Sequence, residues 1–589
     1  MKLLLTTLNS KFTHSSLALR YIKSYLKKFS HEVDLEEYTI NNTIDFIQGQ
    51  IYKGHYQVVA FSCYIWNFEM TLEIAKNLKK VSPNLIIIFG GPEVSFDPIE
   101  IMEKHDFIDY IIFGEGEESF KHLYEDILLK DDCHIKSEIK GICYRDDGLV
   151  TKNTDRELIK NMDDIPFPYE NLDGLENRIL YYESTRGCPF NCQYCLSSTI
   201  KGVRFLSTKR AKEDLKFFID NNVMQVKFVD RTFNAKKKHA LEIMKFCHEN
   251  DNGYTNFHFE MTATLIDEET LTFMKSVRPG LFQLEVGVQS TNKNTILAID
   301  RDIEFEKVKV ICDDIVSNQN IHLHLDLIAG LPYENIESFL SSIDDVIEIR
   351  PEKIQLGFLK LLKGSGLRDN MEKYGYIYNE KAPYEVMCNS YISFDEMLLL
   401  KDIEELMESY YNSGYFKFTI EYLFKIYKKP SIFFISFAKY WDEEKVSHVS
   451  HKSDALFIIL YDFTKNHGVC DIELLAELLR FDYLRIGKRK DLPWYNGLES
   501  KATKEKSHAF LQNEDNLSIY LPEFASSTAK SIIKKVSFAS FNYDIKNMNY
   551  DDYKKQECIY LFNYNVSNDI FDHSMYYNIT EEFNYEGDI

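Results

Sequence analysis

The sequence predicts an α/β protein with two parallel sheets in its first two thirds and a differently built last third. Short apolar runs alternate with amphipathic segments from residue 1 to about 135, and again from about 178 to 365. Strands that alternate with helices in this way imply βαβ units and parallel pairing. Two of the apolar runs end directly in glycines, as expected where a ligand meets the carboxyl ends of parallel strands.

The first unit, residues 1–135, is predicted to be a Rossmann-like domain. Its predicted strands are 2–8, 32–38, 58–63, 85–89 and 110–113. Its predicted helices are 16–29 and 70–81, where apolar residues recur every three or four positions. Residues 136–175 are predicted to be a linker, because Pro166 and Pro168 disfavour helix and favour extended chain there.

The second unit, residues 176–375, is predicted to be an open, partial (β/α)6 barrel. Its predicted strands are 181–183, 225–229, 258–261, 281–286, 322–327 and 353–358. Six strands with helices between them are enough to curve a parallel sheet into part of a barrel. Residues 376–589 are predicted to form an α+β domain, helical over 390–500 and rich in strands over 510–589.

The composition excludes several classes of protein. A hydrophobic content of 44% with 14% aromatic residues excludes a disordered chain. The net charge of −23 leaves no overall electrostatic attraction for nucleic acid, so no nucleic-acid partner is expected. No apolar stretch approaches the roughly 18 residues of a membrane helix, and the N-terminus does not resemble a signal peptide. We therefore expect a cytoplasmic protein that does not contact membranes.

Three of the eleven cysteines form the only tight cluster in the sequence. Cys188, Cys192 and Cys195 follow a predicted strand, and no other cysteine or histidine lies within 25 residues of them. Thiolates bind zinc, copper(I) or iron–sulfur clusters, and a structural zinc site needs four ligands. Three thiolates on an iron–sulfur cubane leave one iron open to a further ligand. The spacing therefore favours a cluster that binds substrate, with a structural zinc or cluster site as the alternative.

The C-x3-C-x2-C spacing, with Tyr194 before the last cysteine, closely resembles the radical S-adenosylmethionine (SAM) superfamily. Segments 228–233, 285–290, 326–332 and 363–367 also resemble that superfamily and occur in its order. They are most similar to the branch that includes methylthiotransferases and cobalamin-dependent enzymes. The resemblance implies that Cys188, Cys192 and Cys195 hold a 4Fe–4S cluster, and that SAM chelates its fourth iron.

The resemblance also implies which residues contact SAM. The candidates are Tyr194, Asp230, Glu260, Glu285, Gln289, Arg301 and Ile328. Tyr194 would lie against the adenine and Ile328 in its pocket. Gln289 and Arg301 would contact the methionine part or the ribose. Glu260 and Glu285 would bind the SAM amine or the ribose hydroxyls, or else be ordinary salt-bridge or rim residues.

The order of domains resembles the cobalamin-binding architecture, which implies cobalamin as a further cofactor. The implied contacts are Ser62, Gly90, Gly91, Gly114, Glu115 and Gly116. The family's D-x-H-x-x-G loop is absent from residues 9–15, although His14 remains as a candidate cobalt ligand or a polar rim residue. The alternative is a Rossmann-like scaffold that binds no cobalamin, with the glycines in tight turns.

The resemblance implies a cobalamin-dependent methyltransferase that acts on an unactivated carbon. Alternatives are a cobalamin-dependent cyclase or rearrangement enzyme, and a non-catalytic cobalamin-binding sensor. A methylthiotransferase is disfavoured because Cys63, Cys133 and Cys143 are scattered and do not indicate a second cluster. The substrate, a small molecule or a peptide, is not identified, and the expected partner is an electron donor such as flavodoxin or ferredoxin. The last 200 residues, near the barrel, are expected to cap it.

Overall fold

The computed structural model describes residues 2–129, 136–446, 449, 451–468, 470–489, 492–495, 501–565 and 574–584. Cys133 lies outside the described residues. The α/β class is confirmed, since the first two units are built around parallel sheets and the third joins helices to a small antiparallel sheet. No helix among the described residues is long and apolar enough to cross a membrane.

Seven strands form the first sheet: β1 Leu3–Asn9, β2 Val33–Thr39, β3 Val58–Ser62, β4 Ile86–Gly90, β5 Tyr110–Ile112, β6 Ile142–Asp146 and β7 Leu149–Lys152. Their order is β2-β1-β3-β4-β5-β6-β7, with β1 to β5 parallel and β6 and β7 antiparallel. All five predicted strands are confirmed. The hairpin β6–β7 lies inside the predicted linker, so part of that segment extends the first sheet. Its turn, Asp147–Gly148, is a hairpin signal that the sequence contains.

Helices cover both faces of this sheet: Leu17–Tyr25, Ile44–Lys53, Phe68–Val81, Pro92–Ser95, Pro98–Lys104 and Gly116–Leu129, with a 3-10 turn at Lys27–Glu32. Successive side chains of a strand point to opposite faces. Leu4 and Leu8 of β1 accordingly join one buried cluster, while Leu3 and Leu5 join the other. Burial on both faces explains why the strands are continuous apolar runs.

The second unit contains β8 Leu180–Tyr182, β9 Thr185–Gly187, β10 Val203–Phe205, β11 Gln225–Phe228, β12 Asn256–Met261, β13 Phe282–Gln289, β14 His322–Ala329 and β15 Lys353–Phe358. Six of them form a parallel sheet in the order β15-β14-β13-β12-β11-β8, while β9 and β10 pair as an antiparallel ribbon. The partial barrel and its six predicted strands are confirmed. Its helices are Thr208–Asp220, Lys237–Glu249, Glu268–Lys275, Lys293–Ala298, Phe305–Ser317, Ile336–Glu348, Gly366–Asp369 and Met371–Tyr374.

The inner face of this barrel is polar. In β14, Leu323, Leu325 and Leu327 are fully buried in the core beneath the helices, so alternation turns His324 and Asp326 inward. The other central strands alternate in the same way. A barrel interior that serves only stability is filled with branched apolar side chains. The polar interior here therefore points to a binding role.

The third unit is mainly helical: Phe394–Leu406, Lys417–Tyr427, Pro430–Glu443, Ser453–His467, Ile472–Arg485, Lys501–Phe510, Glu514–Tyr520, Ala529–Ile532 and Thr580–Asn584, with a π-helical turn at Met407–Asn412. Its strands are β16 Ile377–Tyr378, β17 Val386–Cys388, β18 Val536–Phe541, β19 Cys558–Asn563 and β20 Met575–Asn578. Helix over 390–500 is confirmed among the described residues. Strand over 510–589 is confirmed only for the sheet β18-β19-β20.

The helices of 514–532 correct the prediction of strands there. Asn513 accepts hydrogen bonds from the backbone N–H groups of Asp515 and Asn516, and so caps the helix Glu514–Tyr520. Glu514 and Asp515 also place negative charge in its first turn, where the helix dipole favours it. The prediction of strands rests on alternating aromatics such as those of residues 559–562, whereas local capping interactions favour helix in this segment.

The third unit packs against the side of the barrel. The backbone N–H and hydroxyl of Ser431 donate to the two carboxylate oxygens of Asp344 on a barrel helix, each at 2.7 Å. Near the other end, Asn389 and Tyr376 donate to the carbonyl oxygen of Gly330. These contacts brace the β14–β15 edge of the barrel.

Candidate active site

Three cysteine side chains converge at one end of the barrel. β9 leads into the loop that carries Cys188, Cys192 and Cys195, and all three line one cavity. They are free thiols; Cys192 is buried and the other two are partly exposed. Three sulfur donors in one cavity suit an iron–sulfur cluster that keeps one iron open. None of the described residues that line this cavity comes from the third unit, so the expected cap is not seen there.

Asp230 and Gly187 fix the start of the cysteine loop. The Asp230 carboxylate is fully buried and accepts hydrogen bonds from the backbone N–H groups of Ser184 and Thr185 at 2.8 and 3.0 Å. Gly187 has a φ of +106°, and a Cβ there would lie 2.1 Å from the carbonyl oxygen of Gly202. Asp230, predicted to contact SAM, therefore lies behind the loop and positions it.

Five of the predicted SAM contacts line the cavity: Tyr194, Glu260, Glu285, Gln289 and Arg301. Ile328 packs with Tyr194 against an adjoining apolar cluster. Asp326 also lines the cavity, and sequence reasoning assigned it no role. Its place on the inner face of β14, two residues before Ile328, was the available signal.

Buried acceptors in the cavity lack partners. Gln289 Oε1 and Asp326 Oδ1 accept no hydrogen bond from any described residue. Burial and the neighbouring Glu285 raise the pKa of Asp326 well above its ordinary value. Buried polar atoms in native proteins are almost always paired, so these two indicate a ligand that donates hydrogen bonds. The amine and ribose hydroxyls of SAM are such donors, and the cavity therefore fits SAM.

Arg301 connects the cysteine loop to β13. Its guanidinium donates to Cys192 Sγ at 3.4 Å, to the Tyr194 hydroxyl at 3.2 Å and to the Gly287 carbonyl at 2.6 Å. Burial raises the pKa of Cys192, and the charge of Arg301 opposes this effect. Arg301 therefore favours the thiolate form of Cys192, which is the form that can ligate a metal.

Deeper in the barrel, Glu285 belongs to an ionic network. Lys227 Nζ lies 2.8 Å and His258 Nε2 lies 3.0 Å from Glu285 Oε2. Burial alone would raise the pKa of Glu285, but the contacts with His258 and Lys227 lower it to about 2. Burial lowers the pKa of His324 to about 2, so that imidazole is neutral near pH 7. Glu285 thus faces these side chains as well as the cavity.

Glu334 supports the turn that carries Gln289. Its buried Oε1 accepts hydrogen bonds from the hydroxyls of Ser290 at 2.5 Å and Ser342 at 3.4 Å. Its Oε2 has no hydrogen-bond partner among the described residues. Burial raises the pKa of Glu334 to about 7, so the proton is held near neutral pH.

The proton on Glu334 makes stability depend on pH. Its folded pKa of about 7 lies above the unfolded value of about 4.3. The folded state therefore binds this proton more tightly, and the resulting stabilisation is lost as pH rises from about 4 to about 7. In Glu334→Gln the amide cannot titrate. Thermal melts at several pH values should show wild-type stability falling relative to the variant, by up to about 4 kcal/mol; a constant difference contradicts this assignment.

Glu115 joins the first unit to the cysteine-bearing ribbon. Its carboxylate accepts hydrogen bonds from Arg204 at 3.1 Å and from the Ile159 N–H at 2.8 Å, and it pairs with Arg186 at 3.4 Å. Burial opposes ionisation, but these groups lower the pKa of Glu115. Glu115 was predicted to contact cobalamin; its side chain is engaged between the two units, which leaves only its backbone for a cofactor.

His14 is also held at the boundary between the two units. Its Nδ1 lies 2.6 Å from the hydroxyl of Tyr181 on β8, and its carbonyl accepts a hydrogen bond from Arg178 at 3.2 Å. Burial lowers the pKa of His14, and the charges of Lys11 and Lys227 add to this effect. The reading of His14 as a polar rim residue fits this hydrogen bond, which competes with ligation of cobalt.

The carboxyl edge of the first sheet holds the other predicted cobalamin contacts. Ser62 ends β3, and Gly90 ends β4. Gly91 has a φ of +104°, and a Cβ there would lie 2.6 Å from the carbonyl oxygen of Cys63, so the close approach of these loops requires glycine. Gly114 lies in the turn after β5, and Gly116 begins the next helix.

A flat aromatic surface lies beside these loops. Tyr64 and Trp66 stack with their ring centres 4.4 Å apart and nearly parallel, and Trp66 is 45% exposed. Burial raises the pKa of Tyr64, and the charge of Arg231, which lines the cysteine cavity, opposes this effect. A partly exposed aromatic surface at the carboxyl edge of this sheet suits a large planar ligand such as a corrin. Sequence reasoning did not assign these two aromatic residues.

Three family models match the chain in succession. They are the B12 binding domain over residues 3–124, the Radical SAM superfamily over 182–346, and a protein family of unknown function, DUF4080, over 372–562. The third match covers the predicted C-terminal extension as far as residue 562. The matched segments follow the order of the three units.

Curated relatives align over the first two units. The chain is 26% identical over 350 residues to the cobalamin-dependent radical SAM methyltransferase TokK of Streptomyces tokunonensis, covering 54% of this chain and 49% of the relative. It is 22% identical over 336 residues to the anaerobic magnesium-protoporphyrin IX monomethyl ester cyclase of Rubrivivax gelatinosus, covering 54% and 59%. The chain thus spans about half the length of the curated relatives it matches.

Two solved structures share the fold. The cobalamin-dependent SAM radical enzyme OxsB, with aqua-cobalamin and SAM bound, superposes with a TM-score of 0.57 at 16% identity, covering 90% of this chain and 84% of that one. TsrM from Kitasatospora setae, with cobalamin and a 4Fe–4S cluster, gives 0.55 at 14% identity, covering 65% and 82%. The family models thus show a B12 binding domain and a Radical SAM domain in this chain, which imply a 4Fe–4S cluster, SAM and cobalamin as cofactors, and the solved structures share its fold.

Proposed function

We propose that this protein is a cobalamin-dependent methyltransferase that methylates an unactivated carbon of a small molecule or peptide. The observation that carries the proposal is a cavity of the second unit that combines a cysteine triad with unpartnered hydrogen-bond acceptors. The three cysteines and the unpartnered acceptors of Gln289 and Asp326 line this cavity. Arg231 also lines this cavity, and its charge opposes the burial that raises the pKa of Tyr64 in the first unit.

The chain's own residues would hold and orient the cofactors. Cys188, Cys192 and Cys195 would ligate the cluster, while Gln289 and Asp326 would accept hydrogen bonds from SAM. When bound, the cofactors supply a one-electron cleavage of SAM and a transferable methyl group. The buried carboxylate of Asp230 keeps the cysteine loop rigid.

The first unit would place cobalamin against the barrel. Its contacts would come from Ser62, Gly90 and Gly91 and from the turn at Gly114 and Gly116. The ion pairs of Glu115 with Arg186 and Arg204 hold the first unit beside the cysteine loop. A one-electron protein such as flavodoxin or ferredoxin would reduce the cluster.

The proposal is tested by anaerobic reconstitution with iron, sulfide and hydroxocobalamin. Dithionite and SAM that carries a deuterated methyl group are then added, together with fractionated cell extract as the source of substrate. The expected results are 5′-deoxyadenosine and a product heavier by one deuterated methyl group. Protein without cobalamin is the control, and it should yield no labelled product. Failure to form 5′-deoxyadenosine with an intact cluster would favour the sensor alternative.

A second candidate is a cobalamin-dependent cyclase or rearrangement enzyme. The similarity to the Rubrivivax gelatinosus cyclase, over 54% of this chain, favours it. Both candidates use the same cofactors, so the product distinguishes them. A product that forms without deuterium from the SAM methyl group supports the second candidate and excludes methyl transfer.

A further inference from the structure

Three donor side chains meet inside the barrel beneath the cysteine cavity. His258 of β12, Glu285 of β13 and His324 of β14 come from adjacent parallel strands. Glu285 and His324 lie opposite each other in the strand register. One ligand atom from each residue lies within 4.8 Å of the other two.

One ring nitrogen of this group, His258 Nε2, is buried and makes no well-aligned hydrogen bond. His258 is 5% exposed, and its Nε2 lies 3.0 Å from Glu285 Oε2 without the alignment of a hydrogen bond. His324 Nε2 lies 2.7 Å from the side-chain amide of Gln283, which orients the ring. A metal-binding imidazole donates its other ring N–H to an acceptor, so the Gln283 amide must turn away or present its oxygen when His324 binds a metal.

We propose that His258, Glu285 and His324 form a binding site for a divalent transition-metal ion. Two imidazoles and one carboxylate are a donor set that zinc and iron(II) accept, and it leaves coordination positions open. Metal–ligand bonds of about 2.0–2.2 Å require the three donors to close around the ion. Side-chain rotations can supply this movement, since each donor ends a side chain that points into the barrel.

The ammonium group of Lys227 would compete with a metal ion for the Glu285 carboxylate. Its Nζ lies 2.8 Å from Glu285 Oε2 and neutralises the carboxylate. A second carboxylate, Glu260, is within reach of its charge, and no hydrogen bond or ion pair of Glu260 is found among the described residues. An incoming cation would displace the ammonium group from Glu285 towards Glu260. Removing the lysine charge should therefore strengthen metal binding.

The site borders the cysteine cavity, because Glu285 lines that cavity as well. Open coordination positions on the ion would accept an oxygen or nitrogen donor of a molecule bound there. The ligand class that follows is therefore a divalent ion, with a chelating group of a bound small molecule as its further partner.

Zinc binding to the full-length protein with a reconstituted cluster tests the proposal. Zinc is titrated anaerobically by calorimetry, and bound zinc and iron are counted after gel filtration by mass spectrometry. We expect one zinc per chain in addition to a full complement of iron. His324→Asn should weaken zinc binding at least about 100-fold, and Lys227→Met should strengthen it about tenfold or more. The control, His105→Asn, removes a half-buried histidine of the first unit and should change nothing.

The iron count shows that each variant is folded and that the cysteines are occupied. Should His324→Asn lose its cluster, His258→Gln provides the same test from a different strand. Absence of zinc beyond the cluster overturns the proposal and leaves an ionic network. Equal zinc affinity in wild type and His324→Asn also overturns it, because the ion would then bind elsewhere.

Discussion

Replacing Cys192 by alanine is expected to remove the cluster and SAM cleavage together. Cys192 is the buried member of the three cysteines, and Arg301 donates to its sulfur at 3.4 Å. Two cysteine thiolates cannot hold a cluster that needs three protein ligands. Because the three residues act as one unit, loss of one removes the function of all three. We expect 5′-deoxyadenosine formation to fall by at least about a thousandfold. Iron content and the product are measured after anaerobic reconstitution.

The matched control for Cys192→Ala is Cys312→Ala. Cys312 is fully buried on the barrel helix Phe305–Ser317 and packs in the apolar core. Its loss should lower stability slightly and leave iron content unchanged. Full iron content and SAM cleavage in Cys192→Ala would contradict the assignment of this thiol as a ligand.

Replacing Asp482 by alanine is expected to destabilise the third unit strongly. Asp482 is fully buried and accepts hydrogen bonds from the Thr419 N–H and hydroxyl at 2.9 and 2.8 Å. It also pairs with Arg485, which is 1% exposed. The alanine variant leaves a buried guanidinium charge without its carboxylate. We expect a loss of about 3–5 kcal/mol in the free energy of unfolding.

This loss is measured by unfolding the protein in denaturant and detecting the unfolded third unit by limited proteolysis at each denaturant concentration. Asp462→Ala is the control, because Asp462 is an exposed acid on the helix Ser453–His467. Exposed substitutions of this kind change stability by about 0.5 kcal/mol or less. A midpoint for Asp482→Ala equal to that of the control would show that the buried pair contributes nothing.

The main sheets were predictable because their signals are local. β1 and β3 are buried on both faces and therefore read as unbroken apolar runs. The barrel strands alternate, so β14 shows polar residues between leucines. The hairpin β6–β7 was missed because β7 is an edge strand with mostly exposed residues. The helix Glu514–Tyr520 was missed because the prediction extended the pattern of alternating aromatics at residues 559–562 to the whole of 510–589.

The sequence by itself determined the grouping of the proposed cluster ligands, since Cys188, Cys192 and Cys195 are held together by the covalent spacing of one short loop. Only the tertiary structure decided that Asp230 positions this loop and that Glu115 joins two units. Only the tertiary structure, likewise, brought His258, Glu285 and His324 together. Each comes from a different strand, so their approach depends on strand register and on the curvature of the sheet. Register and curvature are properties of paired strands, and a local pattern of residues does not predict them.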